Sequence, residues 1–370
     1  MFYNVPYARN QKEPKGAIMK IFEYTEDINV DTAHISDELS DILYFDIETT
    51  GLSAKRSDLY LIGCSYFSDS AFRTQLIFND NGTSEPEMLS HFEQILKNHK
   101  ILVSYNGDTF DIPYLLKKME QFDVDSTLDN IQSVDIYRTT RKYKKLLRLD
   151  SAKQFDIEHL IDFQRNTFIS GGDLISAYKH YLNSHDESLL DDMLTHNHDD
   201  IRGLISISEF VNIPHIPDDF QIDDISDTID SITYNCSIPK LPCRITESLN
   251  GILVNACNTH MHVVVPKTRD TEMKYFFKDY KNYYYLPMEH MAIHKSMAAY
   301  VDDAHKEKAT KDNAFTTKTG SFIPCPPGFH GEIFYDTDLK GNRFLSDSTE
   351  LHEKCEQSHA YILAVLNKLF

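Results

Sequence analysis

Leu43-Tyr44-Phe45-Asp46-Ile47-Glu48-Thr49-Thr50-Gly51-Leu52 sets two acids into an otherwise apolar strand. Tyr44, Phe45 and Ile47 give the stretch the character of a buried strand, and residues two apart in a strand point to one face, so Asp46 and Glu48 lie side by side. Two carboxylates at that spacing repel each other. A fold tolerates them when both face water at a strand end, or when a cation sits between them, because burying unpaired charge is costly and hard divalent cations take oxygen ligands. Thr49-Thr50-Gly51 supplies a turn directly afterwards, which puts the acids at a strand end, where an open site can form.

Moving outward, 59–67 and 74–78 read as strands with short connections, which predicts an antiparallel meander. Ser84 and Glu87 have the spacing of a capping box, and Met88, Phe92, Ile95 and Leu96 follow on one helical face. Residues 101–105 form a short apolar run ended by Asn106-Gly107. Residues 112–121 read as a helix with Pro113 in its first turn, 132–136 as a fifth strand, and 156–207 as mainly helical. The order predicts an α/β domain with a mixed five-stranded sheet flanked by helices. Around it we expect an irregular lead-in over 1–40, with one strand near 18–24. The domain itself covers 41–214, an Asp- and Pro-rich acidic linker 215–235, and an α+β accessory domain of unknown function 236–370. In the accessory part, 252–255, 261–265 and 283–286 read as strands, 288–304 as a helix, 316–323 as a hairpin about Thr319-Gly320, and 349–369 as a helix.

The 370 residues are long enough for two domains of ordinary size, and 41% hydrophobic with 25% charged residues describes a globular chain. An apolar run of spanning length and a secretory leader are both missing, so no membrane association and a cytoplasmic location are expected. The six cysteines are widely spaced with no Cys-x-x-Cys pair, which speaks against a zinc ribbon or a disulfide framework. A formal charge of -20 opposes nucleic-acid binding in general, so such binding needs a local basic surface. Residues 138–148 supply one, with Arg138, Arg141, Lys142, Lys144, Lys145 and Arg148 and no acid. Its other reading is a solvated helix face. His290 and His294 have the spacing of a helical zinc pair but no intervening Glu, and we read them as surface residues.

Two further segments carry acids in a readable setting. Tyr105-Asn106-Gly107-Asp108-Thr109-Phe110-Asp111-Ile112-Pro113-Tyr114-Leu115 puts Asp111 directly before a helix, where an Asp also serves as an N-cap. Leu194-Thr195-His196-Asn197-His198-Asp199-Asp200-Ile201-Arg202-Gly203-Leu204 puts His196 and Asp200 on one helical face, four residues apart.

The string 45–52 resembles the first motif of the DEDD superfamily of RNase H-like 3'-5' exonucleases, which includes polymerase proofreading domains. The string 105–115 resembles the second motif, as it stands in the proofreading domains of family B polymerases, with Asp111 rather than Asp108 at the position of the functional acid. The string 194–204 resembles the third motif. Within the superfamily the nearest likeness is to bacterial exonucleases of the YprB type, whose third motif has an aromatic residue or His followed by Asn, as His196-Asn197 do. One branch of the superfamily has Tyr four residues before the last Asp and another has His five before; here His stands at the Tyr spacing and position 195 is Thr.

The resemblance implies that Asp46, Glu48, Asp111 and Asp200 hold two Mg2+ ions, with Mn2+ a possible substitute, about 4 Å apart, the arrangement that clamps attacking and leaving oxygens in phosphodiester cleavage. His196 would accept a proton from the attacking water or orient it. The substrate would be single-stranded DNA or RNA with a free 3' end, released as nucleoside 5'-monophosphates. Thr49, Gly51, Leu52, Asn106 and Phe110 would contact the strand near its end, while Arg138, Arg141, Lys142, Lys144 and Lys145 hold phosphates upstream and Tyr143 stacks on a base. Asp135 matches a position where many superfamily members have an acid, and we treat it as secondary. The alternative is a non-catalytic nucleic-acid-binding or regulatory protein on the same fold.

Overall fold

The strand that carries Asp46 and Glu48 lies inside a seven-stranded sheet of the first of two units, Met1–Pro214 and His215–Phe370. The structure, a computed structural model, describes residues 10–12 and 19–370. In chain order the first unit contains β1 (Asn10–Lys12), β2 (Met19–Glu26), β3 (Ile42–Thr49), β4 (Leu59–Ser68), β5 (Ala71–Asn79), α1 (Glu85–Leu96), β6 (Ile101–Ser104), α2 (Asp111–Gln121), β7 (Gln132–Asp135), α3 (Ile136–Lys142), α4 (Gln154–His159), α5 (Gly171–Ser184) and α6 (Glu187–Ile207). The sheet runs β1-β2-β5-β4-β3-β6-β7. β3 is central, antiparallel to β4 and parallel to β6. Strands covered on both faces read as continuous apolar runs, and in β3 Ile42, Leu43, Tyr44, Phe45 and Ile47 are all buried.

Each face of the sheet has its own core. On one, Leu43, Phe45, Ile47 and Ile62 pack with Met88, Leu89 and Phe92 of α1 and Leu115 and Met119 of α2. On the other, Phe22, Tyr60, Leu61, Leu76 and Phe78 pack with Leu174, Tyr178 and Tyr181 of α5 and Leu190, Met193 and Leu194 of α6. The layout is the mixed, helix-flanked sheet of an RNase H-like fold. Asp69 and Ser70 at the β4–β5 tip both have positive φ, the mirror-image turn that matches the twist of a two-residue hairpin.

Two local expectations for this unit change. The sheet has seven strands rather than five, because β2, placed in the irregular lead-in, pairs with β5 from Met19↔Asn79 to Glu26↔Phe72, and β1 pairs with β2 beyond it. The Ser84/Glu87 capping box does not form: the Ser84 hydroxyl donates to Asn79 Oδ1 at 2.9 Å and Asn81 Oδ1 at 3.1 Å, stitching the β5–α1 turn instead.

In the second unit, residues 215–235 are not a linker. They form α7 (Ile216–Asp219), β8 (Gln221–Asp227) and the start of β9 (Ser231–Leu249). β8 is an edge strand whose exposed aspartates face water while its backbone pairs with β9, so an acidic composition and strand structure coexist. β9 turns at Asn250-Gly251, both with positive φ, into β10 (Ile252–Pro266). Then follow β11 (Thr268–Phe276), β12 (Tyr283–Leu286), β13 (Met291–His294), α8 (Lys295–Ala298), β14 (Glu307–Lys308), β15 (Phe315–Pro324), β16 (Phe334–Tyr335), β17 (Arg343–Ser346) and α9 (Glu356–Leu369). β11-β15-β17-β16 close into a small barrel.

The helix expected over 288–304 is mainly the hairpin strand β13 and the one-turn α8, because Tyr283–Leu286 pairs with Met291–His294 around His290 at φ 50°. His290 and His294 therefore share no helix face. The hairpin expected over 316–323 is one straight strand, β15, with Gly320 opposite Thr271 of β11. The C-terminal helix begins at Glu356, after a short turn at Thr349–Leu351.

Candidate active site

β3 delivers Asp46 and Glu48 to one face of the sheet. Asp111 arrives as the first residue of α2 rather than as its cap, which is Phe110. Its carboxyl is buried, and the nearby backbone N–H groups of Asp111 itself and of Ile47, between the two acids, favour the charged form. The loop before it makes a close approach: a Cβ on Gly107 would stand 2.3 Å from Ser104 Oγ, and Asn106 has φ 65°. Asp135 anchors this loop, accepting from the N–H of Asn106 at 2.7 Å, Asp108 at 3.4 Å and Tyr137 at 3.0 Å. Asp108 points elsewhere, accepting from Ser133 Oγ at 2.6 Å and pairing with Arg138 at 2.6 Å.

α6 brings His196 and Asp200. Its start is fixed by Asp186, which accepts from the N–H of Ser188 at 2.9 Å, and Leu190, Met193, Leu194, Ile201 and Leu204 bury its inner face. One turn apart, His196 Nε2 and Asp200 Oδ2 are 3.2 Å from each other, and Nε2 is 3.6 Å from Glu48 Oε1. Between them Asn197 is fully buried and donates from Nδ2 to Asp46 Oδ2 at 2.8 Å. Room for it comes from Gly63, the residue of β4 directly opposite Asp46. A Cβ there would lie 2.0 Å from Asn197 Oδ1. Gly63→Ala is therefore expected to push Asn197 off Asp46, lower the melting temperature by overpacking worth about 1–3 kcal/mol, and reduce metal-dependent activity. A melt and a metal titration of the purified variant check this.

The far side of Asp200 is held by a residue that sequence reading missed. Arg165, nearly buried, donates from Nη2 to Asp200 Oδ1 at 2.7 Å, and its Nε and Nη2 pair with the buried Glu158 at 2.5 and 2.7 Å. Glu158 fits because position 203 is Gly; a Cβ there would be 1.9 Å from Glu158 Oε1. The loop behind Arg165 is tied to Asp199, fully buried, which accepts from the N–H of Asn166 at 2.5 Å and of Thr167 at 3.0 Å. Tyr60 completes the setting by donating to Glu48 Oε2 at 3.1 Å.

Burial and mutual repulsion raise these acids. Asp46 is held well above the usual carboxylate range by burial first, then by Asp200, Asp111 and Glu48. Burial followed by Asp200 pushes Glu48 up to about 8, and burial pushes Asp111 up to about 7. The residues suit a divalent cation. Glu48, His196 and Asp200 each present a ligand atom within 4.8 Å of the others, Asp46 and Asp111 add hard oxygens whose charge is felt at the same place, and the buried His196 Nδ1 has no hydrogen-bond partner.

The expected nucleic-acid contacts are less uniform. Thr49 Oγ1 and Ser57 Oγ both donate to the Gly51 carbonyl, at 2.9 and 2.8 Å, which shapes a turn that leaves Leu52 88% exposed. Asn106 sits in the Asp135-anchored loop, and Phe110 is half-buried with its ring 5.6 Å from that of Tyr114. Arg138, Arg141, Lys142, Lys145 and Arg148 of the basic run are exposed and Lys144 is half-buried. Arg138 pairs with Asp108, Arg141 lies 5.9 Å over Tyr137, Lys142 donates to Tyr143 OH at 2.7 Å and Lys144 to the Asp150 carbonyl; Lys145 is exposed. Tyr143, expected to stack on a base, is buried, because α3 ends at Lys142 and the chain folds its ring inward.

Residues 43–212 match the family model described as the RNase_H superfamily. The chain is similar to a DNA polymerase of Thermococcus aggregans, 31% identical over 139 residues, covering 33% of this chain and 8% of that protein. DNA polymerase 1 of Aeropyrum pernix is 34% identical over 77 residues, covering 21% and 8%. The chain thus spans less than a tenth of these relatives. Among solved structures, a family B DNA polymerase of Pyrobaculum calidifontis aligns at TM-score 0.36 and 14% identity, covering 48% of this chain and 24% of that one. The zinc-ion-bound form of the E. coli ExoI–ssDNA complex aligns at TM-score 0.28 and 14% identity, covering 48% and 41%. Among the described residues no helix is long and apolar enough to cross a membrane.

Proposed function

We propose that the RNase H-like domain of this chain is a divalent-metal-dependent 3'-5' exonuclease of the DEDD type, acting in the cytoplasm on single-stranded DNA or RNA with a free 3' end and releasing nucleoside 5'-monophosphates. The observation that carries the reading is the convergence of Asp46, Glu48, Asp111 and Asp200, from three elements distant in sequence, on one largely enclosed cluster in which the carboxyls of Asp46, Glu48 and Asp111 are raised. Buried acids that raise one another's pKa are a poor way to stabilise a fold and an ordinary way to build a cation site. The likeness of the three motifs to proofreading exonucleases, and the similarity of part of the chain to DNA polymerases, support the same reading. His196-Asn197 favours the YprB type within it.

Asp46, Glu48, Asp111 and Asp200 are the residues that would hold Mg2+ or Mn2+, which supplies an activated water and charge neutralisation at the departing oxygen. The chain's own residues set the geometry. Asn197 fixes Asp46, Tyr60 fixes one oxygen of Glu48, and Arg165 occupies Asp200 Oδ1 so that Oδ2 faces the cluster. His196 Nε2 lies between Glu48 and Asp200, placed to orient the water or take its proton. His196→Phe is accordingly expected to lower the rate by about a hundredfold or more while leaving the affinity for Mn2+ within a few-fold of wild type. Single-turnover kinetics beside calorimetric Mn2+ titration separate the two effects.

The direct test is degradation of 5'-labelled single-stranded DNA and its RNA counterpart with Mg2+, with Mn2+ and with chelator. A metal-dependent ladder shortening from the 3' end supports the reading. Binding without cleavage under any metal would instead favour a non-catalytic nucleic-acid-binding protein.

A further inference from the structure

Among the described residues of the first unit, the large apolar side chains left exposed are Leu52, Phe155 at 40% and Phe168 at 76%. The two phenylalanines meet edge to face, with ring centroids 6.2 Å apart and planes at 88°. Phe155 is also edge-on to His159, at 4.5 Å and 90°, and the Arg165 guanidinium lies 5.9 Å from its centroid. That guanidinium is the one that holds Asp200.

The rings are held in place through their sequence neighbours. Gln154, next to Phe155, donates from Nε2 to the Asp200 carbonyl at 2.8 Å. Asn166 and Thr167, just before Phe168, donate their N–H groups to Asp199. Ala152, three residues before Phe155, accepts from Tyr105 OH at 2.8 Å, at the head of the loop that leads to Asp111. The aromatic pair is therefore fastened to both the second and the third acid-bearing segments, and forgoes burial worth about 1.5–3 kcal/mol for each ring that the core would gain.

We infer that Phe155 and Phe168 form a base-stacking platform at the rim of the acid cluster, which takes an unpaired nucleobase near the 3' end of a single strand; this rests on the nuclease reading above. A nucleobase is the occupant that fits an exposed aromatic ring face beside a phosphodiester-cleaving site. Every base has a π-face, so stacking is sequence-tolerant. Lys153 is exposed beside it, and two of the nearby acids are engaged internally, Glu158 by Arg165 and Asp156 by the Ser151 hydroxyl, while Asp162 is exposed. A cation over one edge of the platform strengthens aromatic contacts.

The test uses the wild-type chain and single strands whose last linkages are phosphorothioates, carrying 2-aminopurine at each of the last four positions in turn. Quenching on binding is expected at one or two of these positions. Phe168→Ala is expected to remove it and weaken binding about tenfold or more, Phe155→Ala to do likewise, and Phe168→Trp to restore both. Phe168 is mostly exposed, so its replacement leaves the core intact. If the Ala variants bind, quench and degrade strands as wild type does, the platform is wrong and the exonuclease stands. If the wild type neither binds nor cuts, the exonuclease reading falls and the platform with it.

Discussion

Asp46→Asn is expected to lower hydrolysis by about a thousandfold or more and, in the presence of chelator, to raise the melting temperature. Both signs come from the same geometry. Asp46 is the acid whose charge is opposed by burial and by all three of the others. Losing it removes a ligand oxygen from the centre of the cluster, and each 1.36 kcal/mol of lost transition-state stabilisation is tenfold in rate, so the several kcal/mol supplied by a bound cation amounts to about three orders of magnitude. The amide has nearly the same shape, and its oxygen can still accept from Asn197. What changes is a carboxyl whose ionised form is opposed by burial and by its neighbours, and replacing it with a neutral amide is worth on the order of 1–4 kcal/mol in the metal-free protein. Metal titration followed by thermal melts, on wild type and variant, reads both effects. A variant that melts lower than wild type in chelator would show that Asp46 is stabilising and that the cluster is not under repulsion.

The second large effect is a pH dependence that metal reverses. Glu48 and Asp111 titrate near 8 and 7 in the folded chain, against ordinary values near 4 when unfolded. Between those limits the folded state binds the extra protons. The stability they contribute is full below the unfolded values and is lost as pH rises through the folded ones. In chelator the melting temperature should therefore fall between about pH 5 and pH 8, by a free energy on the order of several kcal/mol. A divalent cation favours the ionised carboxylates, so with saturating Mg2+ the fall should flatten or invert. Glu48→Gln isolates the effect, since in chelator its melting temperature should depend on pH less steeply than that of wild type. A chelated wild type that becomes more stable from pH 5 to pH 8 would contradict the raised values.

The first unit was legible because its two periodicities are clean. Asp46 and Glu48 could be read two apart in an apolar run, and His196 and Asp200 four apart over a buried stripe; in the structure His196 Nε2 stands 3.2 Å from Asp200 Oδ2 and 3.6 Å from Glu48 Oε1. Asp111 was legible as an acid at a helix start. Arg165 and Asp199 were not, because Arg165 sits in a loop without periodicity and Asp199 adjoins an Asp already assigned. Their roles come from partners that no local pattern names. The role of the basic run was not legible for a related reason: counting cations says nothing of which already have intramolecular partners, as Arg138 and Lys144 do. In the second unit the error was one of weighting. Asn250-Gly251 between two apolar alternations is a strong hairpin signal, yet the aspartates of 218–230 drew attention to charge and away from the long β9–β10 pair.

The position of α6 in the chain sets a schedule for synthesis. Asp46 and Glu48 leave the ribosome about 150 residues before Asp200, and at roughly 5–20 residues per second a nascent chain spends many seconds with its acid cluster incomplete. Over that interval the sheet face later covered by α5 and α6, with Phe22, Tyr60, Leu61, Leu76 and Phe78, is bare. A truncated translation product ending before α6 would thus be both sticky and harmless: it would expose a wide aromatic surface for chaperones to hold, and it would be unable to cut the message being read or any other strand. Completion of one helix would close the core and complete the acid cluster in the same event.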